Sequence, residues 1–304
     1  MPVSRMRSKP WPTPSGWMMP EIRVATRRSS LAMAQTRLVV DLLQMAIPDL
    51  TVRLVEIETA GDRDQRGPIA TLTEVGAFVR AVQTAVIDGR ADLAVHSLKD
   101  LPITGPTELV LAAFPERAAP FDVLVGSSLV DLPEEAVVGT GSPRRTAQLV
   151  RQRPGIRTTE LRGNVDTRLR KIETGEVDAA VLAEAGLVRL GRSEMISQRF
   201  AVEVMVPAPG QGALAVETRP GSEAEAMAGM LDDARLRPLL MAERELLAQT
   251  GAGCRSALGV LATWEGGRIR LEAFVSDERG PRQTVVIGDD GETVVAGARR
   301  ELRL

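Results

Sequence analysis

Four polar residues within five positions, His96, Ser97, Lys99 and Asp100, close the apolar run of ADLAVHSLKDLP at 91–102. A buried strand that ends in such a set delivers it to the carboxyl edge of an open α/β sheet, where ligands bind. If strand alternation continues through position 100, His96 and Asp100 share one face and Lys99 takes the other, so Asp100 can point at a ligand while Lys99 reaches a separate group. The plain reading of the same residues is a core histidine and a turn aspartate. Two other stretches, ATRRSS at 25–30 and GTGSPRR at 139–145, place hydroxyls and free amides at helix N-termini beside arginines. That combination holds a carboxylate or phosphate, although an ordinary serine cap flanked by solvated arginines has the same sequence.

The single cysteine, Cys254, lies in AQTGAGCRSALGV at 248–260. A lone cysteine is most often a small buried hydrophobe. Here Gly253 and Arg255 flank it in a loop, so it is expected to be accessible and its thiolate favoured, the condition for covalent attachment. With one cysteine and one histidine the chain has no internal disulfide and no four-ligand zinc site, and no metal is expected. A reducing cytoplasm suits this usage.

Basic charge is concentrated in one part of a chain whose net charge is −2. Residues 142–171 carry nine basic side chains against Glu160 and Asp166 alone. Arg144, Arg145, Arg162 and Arg168 fall at element ends rather than at one helical spacing, as a ligand cradle requires. Arginine is the default cation, at 35 of 38 basic residues, so the retained Lys99 carries more weight than any one arginine. Aromatic residues make up 3%, too few for base-stacking platforms, which favours a polyanionic small molecule over nucleic acid. No stretch approaches the roughly 20 apolar residues that span a bilayer.

The elements that must position these residues alternate strand and helix. IRVAT (22–26) reads as a buried strand, followed by a Ser-capped helix over 29–47 with Leu31, Ala34, Leu38, Leu42 and Met45 as its apolar positions. LVLAAF and FDVLVG flank the proline-containing PERAAP, a crossing between domains. AVVGT then feeds a helix with Pro143 at its first position. A long helix over 233–249, hairpins around EGG and DERG and a short last helix complete the pattern. The fold class is α/β, with a cleft between two units and a small α+β tail. The expected division is a disordered extension over 1–20, domain 1 over 21–115 and 208–230, domain 2 over 116–207, and a C-terminal domain over 231–304.

Taken in order, ATRRSSLAMAQ, ADLAVHSLKDLP, VGTGSPRRTAQL, LRGNVDTRLRK, LAEAGLVRLG, PAPGQGAL and GAGC resemble the porphobilinogen deaminase (hydroxymethylbilane synthase) family over roughly 22–275. The resemblance implies two periplasmic-binding-protein-like α/β domains and a small third domain that carries the cysteine. It implies a covalent dipyrromethane cofactor, held by Cys254 through a thioether, as the primer for condensing four porphobilinogen molecules with release of ammonia. By the same likeness Asp100 is the catalytic carboxylate. Ser97, Lys99, Ser142, Arg144, Arg145, Arg162 and Asp62 would hold the cofactor, and Arg27, Ser29, Arg168, Arg189 and Gln211 the substrate. Porphobilinogen is then the small-molecule partner of a cytoplasmic monomer that takes no nucleic acid and no membrane. One departure is Val75, where the family usually has a loop lysine. The rival reading from another class is a non-catalytic two-lobed protein that binds a polycarboxylate.

Overall fold

The computed structural model describes residues 21–57, 73–250 and 257–304. The strands are β1 (Glu21–Arg27), β2 (Thr51–Ile57), β3 (Leu93–Ser97), β4 (Val110–Ala113), β5 (Asp122–Val125), β6 (Val137–Gly139) and β7 (Arg157–Thr159). There follow β8 (Ala179–Ala183), β9 (Ile196–Arg199), β10 (Leu214–Thr218), β11 (Ala257–Glu265), β12 (Arg268–Asp277) and β13 (Gly280–Gly288). The helices are α1 (Ser30–Ala46), α2 (Thr73–Ile87), α3 (Pro143–Gln152), α4 (Val165–Glu173), α5 (Glu184–Arg189), α6 (Glu223–Gly229), α7 (Arg237–Gln249) and α8 (Gly291–Leu302).

They build two five-stranded mixed sheets, ordered β2-β1-β3-β10-β4 and β7-β6-β8-β5-β9, and an antiparallel meander of β11, β12 and β13. Each large sheet has three parallel strands and then an antiparallel strand next to the third: β10 on β3 in one, β5 on β8 in the other. Alternation in β1 shows how the first sheet is covered on both faces. Ile22 and Val24 pack with Val39 and Leu43 of α1, while Ala25 packs with Val82 and Val86 of α2. In the third sheet Val260, Ala262, Leu271 and Ala273 pack against Leu246, Val294 and Ala298 of α7 and α8.

Two details differ from the sequence reading. The buried line of α1 runs through Thr36, Val39 and Leu43, whereas Met45 is 81% exposed. The expected apolar line lies one position round the helix, and its Leu31 is turned toward Gly186 of the second lobe. The helix expected over 233–249 begins at Arg237, and a separate short helix, α6, precedes it with Ser222 as its cap. Among the described residues, no helix is long and apolar enough to cross a membrane.

The chain passes between the two large sheets twice, and the two passes are bonded to each other. Arg117 and Ala213 form an antiparallel bridge, Ala118 N donates to Gly212 O at 3.1 Å, and Leu214 N donates to Glu116 O at 3.2 Å. The glycines of PGQGA make this approach possible. Gly212 has φ +85°, and a Cβ there would stand 2.4 Å from Ala118 O; Gly210 has φ +72°, and its Cβ would meet Leu98 at 2.8 Å. Gly212→Ala combines a left-handed backbone with a collision against a carbonyl that cannot retreat. It is expected to cost at least about 1–3 kcal/mol. Equilibrium urea unfolding checks this, and a change within about 0.5 kcal/mol, the range of ordinary surface substitutions, would contradict it.

Candidate active site

Strand β3 is buried through Val95 and His96 and ends at Ser97, after which Leu98–Asp100 form a single 3-10 turn. Strand alternation therefore does not reach position 100. His96 stays in the core, its Nε2 3.1 Å from Glu217 Oε2 on the neighbouring β10, and Gln83 Nε2 donates to both Glu217 oxygens at 3.0 and 3.2 Å. The plain reading of His96 is the correct one. The turn lifts Asp100 into the open, with Lys99 half-buried beside it and Leu98 buried as its anchor. Ser97 Oγ accepts a 2.7 Å hydrogen bond from Gln35 Nε2, which ties the turn to α1.

The second lobe contributes a buried ion cluster. Asp122, the first residue of β5, is fully buried, and Arg144 Nη1 donates to its Oδ2 at 2.7 Å. Arg145 donates to Oδ1 from Nε at 2.9 Å and from Nη2 at 2.6 Å, and Gln211 Nε2 donates to the same oxygen at 3.0 Å. Each guanidinium also reaches a backbone carbonyl, Arg144 donating from Nη1 to Val206 O at 2.7 Å and Arg145 from Nη1 to Val181 O at 2.8 Å. Burial pushes the Asp122 carboxyl upward, but the two guanidiniums outweigh it and hold the group far below the usual carboxylate range. Arg144 is itself lowered by burial and by repulsion from Arg145, against the pull of Asp122.

Lys99 and Asp100 from the first lobe lie within the electrostatic reach of this cluster. Part of Lys99 touches solvent, yet protein packed around its ammonium lowers the pKa to about 8. Asp100 and Asp122 oppose that shift, and Arg145 and Arg144 add to it. Arg168 is lowered first by burial and then by Arg145, with Asp100 pulling the other way. Among the described residues, Lys99, Arg144, Arg145 and Arg168 thus face Asp122 and Asp100, two positive charges in excess in a partly dehydrated space. Among the described residues Lys99 makes no hydrogen bond or ion pair. The donor set fits a group that brings carboxylates.

The other expected residues fall into three sets. Ser29 and Ser142 cap α1 and α3, and the Arg27 guanidinium lies 4.1 Å over the Phe78 ring. Arg189 and Gln211 belong to the crossing: Arg189 Nη2 donates to Gly212 O at 2.7 Å and Glu116 Oε1 at 3.0 Å, and Gln211 also donates to Pro120 O at 2.8 Å. Among the described residues, the Gln211 Oε1 and Arg189 Nε atoms are buried without a partner. Arg162 is exposed and pairs with Glu160 at 2.8 Å. The nine-residue basic run is therefore several structures. Arg151 reaches Gln283, Arg153 and Arg157 bind loop carbonyls, and Lys171 pairs with Glu176. Asp62, Cys254 and the Val75 side chain lie outside the described residues; the cysteine follows the end of α7 and precedes β11 in the chain.

Sequence reasoning missed Asp122 and also Glu243, a fully buried carboxylate on α7. Glu243 accepts from Arg117 Nη1 at 2.6 Å, Gly210 N at 2.7 Å and Ala262 N at 2.8 Å. The available signal was a charge inside an apolar pattern, in FDVLV and in the inward line of the helix.

Residues 22–227 match the family described as "Porphobilinogen deaminase, dipyromethane cofactor binding domain". This chain belongs to the porphobilinogen deaminase family. The porphobilinogen deaminase of Roseiflexus castenholzii is 45% identical over 262 residues, 85% of this chain and 86% of that one. That of Pelotomaculum thermopropionicum is 41% identical over 288 residues, 93% and 92% of the two chains. Among solved structures, the Bordetella pertussis BvgS periplasmic VFT2 domain gives a TM-score of 0.42 at 16% identity, over 70% of this chain and 86% of that one. That likeness is too slight to argue from. Family membership places the Lys99–Asp100 turn and the arginine pair inside the matched region, and Cys254 beyond its end.

Two consequences can be measured. Asp122→Asn removes the counter-charge of two buried guanidiniums, for which a loss of about 3–5 kcal/mol is expected in urea unfolding; a loss below about 1 kcal/mol would show that the cluster does not hold the lobe. Lys99 in the fold has a pKa of about 8 against an ordinary 10.5. The unfolded chain therefore binds the proton more tightly, and the charged lysine destabilises the fold fully below pH 8. That penalty fades as pH rises from about 8 toward the ordinary value. Lys99→Met should be more stable than the parent at pH 7, with the gap closing over that window, as thermal melts across pH will report. A gap that is constant or widens with pH would refute the assignment.

Proposed function

We propose that the chain condenses four porphobilinogen molecules head to tail, releasing one ammonia from each, and frees the linear hydroxymethylbilane with water. The observation that carries this reading is the meeting of the Lys99–Asp100 turn with the Arg144, Arg145 and Arg168 guanidiniums from the second lobe. When bound, a dipyrromethane joined to Cys254 supplies the primer to which pyrroles are added. Its carboxylates, an acetate and a propionate on each of two rings, supply the counter-charge for the positive excess, with Lys99 and Arg168 as the cations that feel Asp100. Arg144 and Arg145, locked on Asp122, act through their fixed field. Ser97, Ser142, Arg162 and Asp62 complete the cofactor set in this reading, and Arg27, Ser29, Arg189 and Gln211 the substrate set.

Asp100 is exposed on its turn and so can approach a substrate ring. Loss of the aminomethyl nitrogen as ammonia leaves positive charge on the pyrrole, and a carboxylate beside the ring nitrogen stabilises it where it develops. The same carboxylate can take the pyrrole proton as the new carbon–carbon bond settles. We read the chain further as a cytoplasmic monomer, a reducing compartment being where a lone reactive thiol persists.

Intact-protein mass after expression with porphobilinogen available tests the reading. The parent chain should carry the added mass of two pyrrole units, Cys254→Ser should fold without it, and Asp100→Ala should retain it while turnover falls about 10²- to 10⁴-fold. A bare mass for the parent would support a non-catalytic polycarboxylate-binding protein instead. Near-normal turnover by Asp100→Ala would remove that residue from the chemistry.

A further inference from the structure

Among the described residues the Asp100 side chain has no hydrogen-bond partner; it is exposed, and the turn that carries it is only three residues long. The entry to that turn is anchored in the first lobe. Leu98 is buried, and its N–H donates to Ala213 O at 3.0 Å on the returning crossover. The exit is different, because Leu101–Ile103 belong to neither helix nor strand and Pro102 has no N–H. Within the first lobe the exit has the Leu101 N–H bond to Leu98 O at 3.1 Å.

The exit carbonyls are met by the third domain. Arg244, at 9% exposure on α7, donates from Nη2 to Pro102 O at 3.0 Å and Ile103 O at 3.5 Å, and from Nη1 to Leu101 O at 3.4 Å. A planar guanidinium can serve several carbonyls at once, and a cation at the end of a helical turn is favoured by the carbonyl dipoles. Docking of α7 does not depend on this contact, since the adjacent Glu243 already fixes the helix to both crossovers and to Ala262 N. The Arg244 bonds to Leu101 O, Pro102 O and Ile103 O therefore bear on where the Asp100 turn sits.

We propose that Arg244 is a positioning residue that clamps the exit of the Asp100 turn, so that the third domain sets the place of the reacting carboxylate relative to Lys99 and Arg168. The inference rests on the reading of Asp100 as the group that acts on substrate. A residue that only stabilised the fold would not act selectively on turnover, nor on exchange within one turn.

The full-length chain carrying Arg244→Gln and, separately, Arg244→Lys tests this. Hydrogen exchange read by mass spectrometry should be at least tenfold faster over 98–104 in Arg244→Gln, with β11 and β12 unchanged and Arg244→Lys in between. Turnover of porphobilinogen should fall at least tenfold at an unchanged KM, with the covalent mass retained. Combined with Asp100→Glu, which already displaces the carboxylate, Arg244→Gln should cost less than threefold. Unchanged exchange over 98–104, normal kcat, or a full tenfold loss on top of Asp100→Glu would each overturn the proposal. If the parent chain neither gains mass nor turns over, the reading of the site fails, and the exchange result still decides whether Arg244 holds the turn.

Discussion

A single carboxylate in the wrong dielectric organises the centre of this protein. Asp122 is fully buried, at the point where the chain first enters the second sheet, and left alone it would be intolerable there. Two guanidiniums from the start of α3 and an amide from the returning crossover make it tolerable. Those partners come from residues 144, 145 and 211, so satisfying one charge fixes the first turn of α3, the strand β5 and the second pass between lobes together. Buried ion pairs are poor general stabilisers because desolvation cancels much of the attraction. Their value here is geometric: the cluster has one low-energy arrangement, and it points a fixed positive field at the end of β3.

A second buried acid performs the same service for the third domain. Glu243 takes hydrogen bonds from the outgoing crossover, the returning crossover and β11, three segments that share no sheet. The lobes are joined by two crossing segments that hydrogen-bond to each other, and the helix leading toward Cys254 is joined to those segments by Glu243. The loop that carries the thiol therefore starts from a helix end whose position is tied to the junction on which the Asp100 turn also rests.

Much of this was legible beforehand, and the failures have physical causes. Ser29 and Ser142 announce their helices because a hydroxyl one residue before an apolar period satisfies orphan amides in any fold. The Lys99–Asp100 pair was legible because polar residues at the end of an apolar strand have few other places to go. The helical phase of α1 was misplaced because two adjacent lines along it are apolar, one packed on the sheet and the other with Leu31 toward the second lobe and Met45 exposed, and periodicity alone cannot rank them. The basic run misled in another way. A count of arginines says nothing of their partners: Arg153 and Arg157 turned out to bind loop carbonyls and Arg162 an exposed acid. Asp122 and Glu243 were missed because the residues that satisfy them are far away in sequence, and only the fold brings them near.

What remains after those pairings explains why the site is also the least comfortable part of the molecule. The buried acid of the cluster, Asp122, is well supplied with donors, yet Lys99 keeps no partner among the described residues, and Arg168 is pushed down by burial and by Arg145. A sequence optimised for stability alone would place another carboxylate there or retract the lysine. Local conflict of this kind persists where function requires it. An arriving anion meets cations already stripped of much of their water, two of them, Arg144 and Arg145, already fixed on Asp122. The reorganisation that makes exposed ion pairs nearly worthless has been completed during folding, and the positive charge left over is available to the ligand.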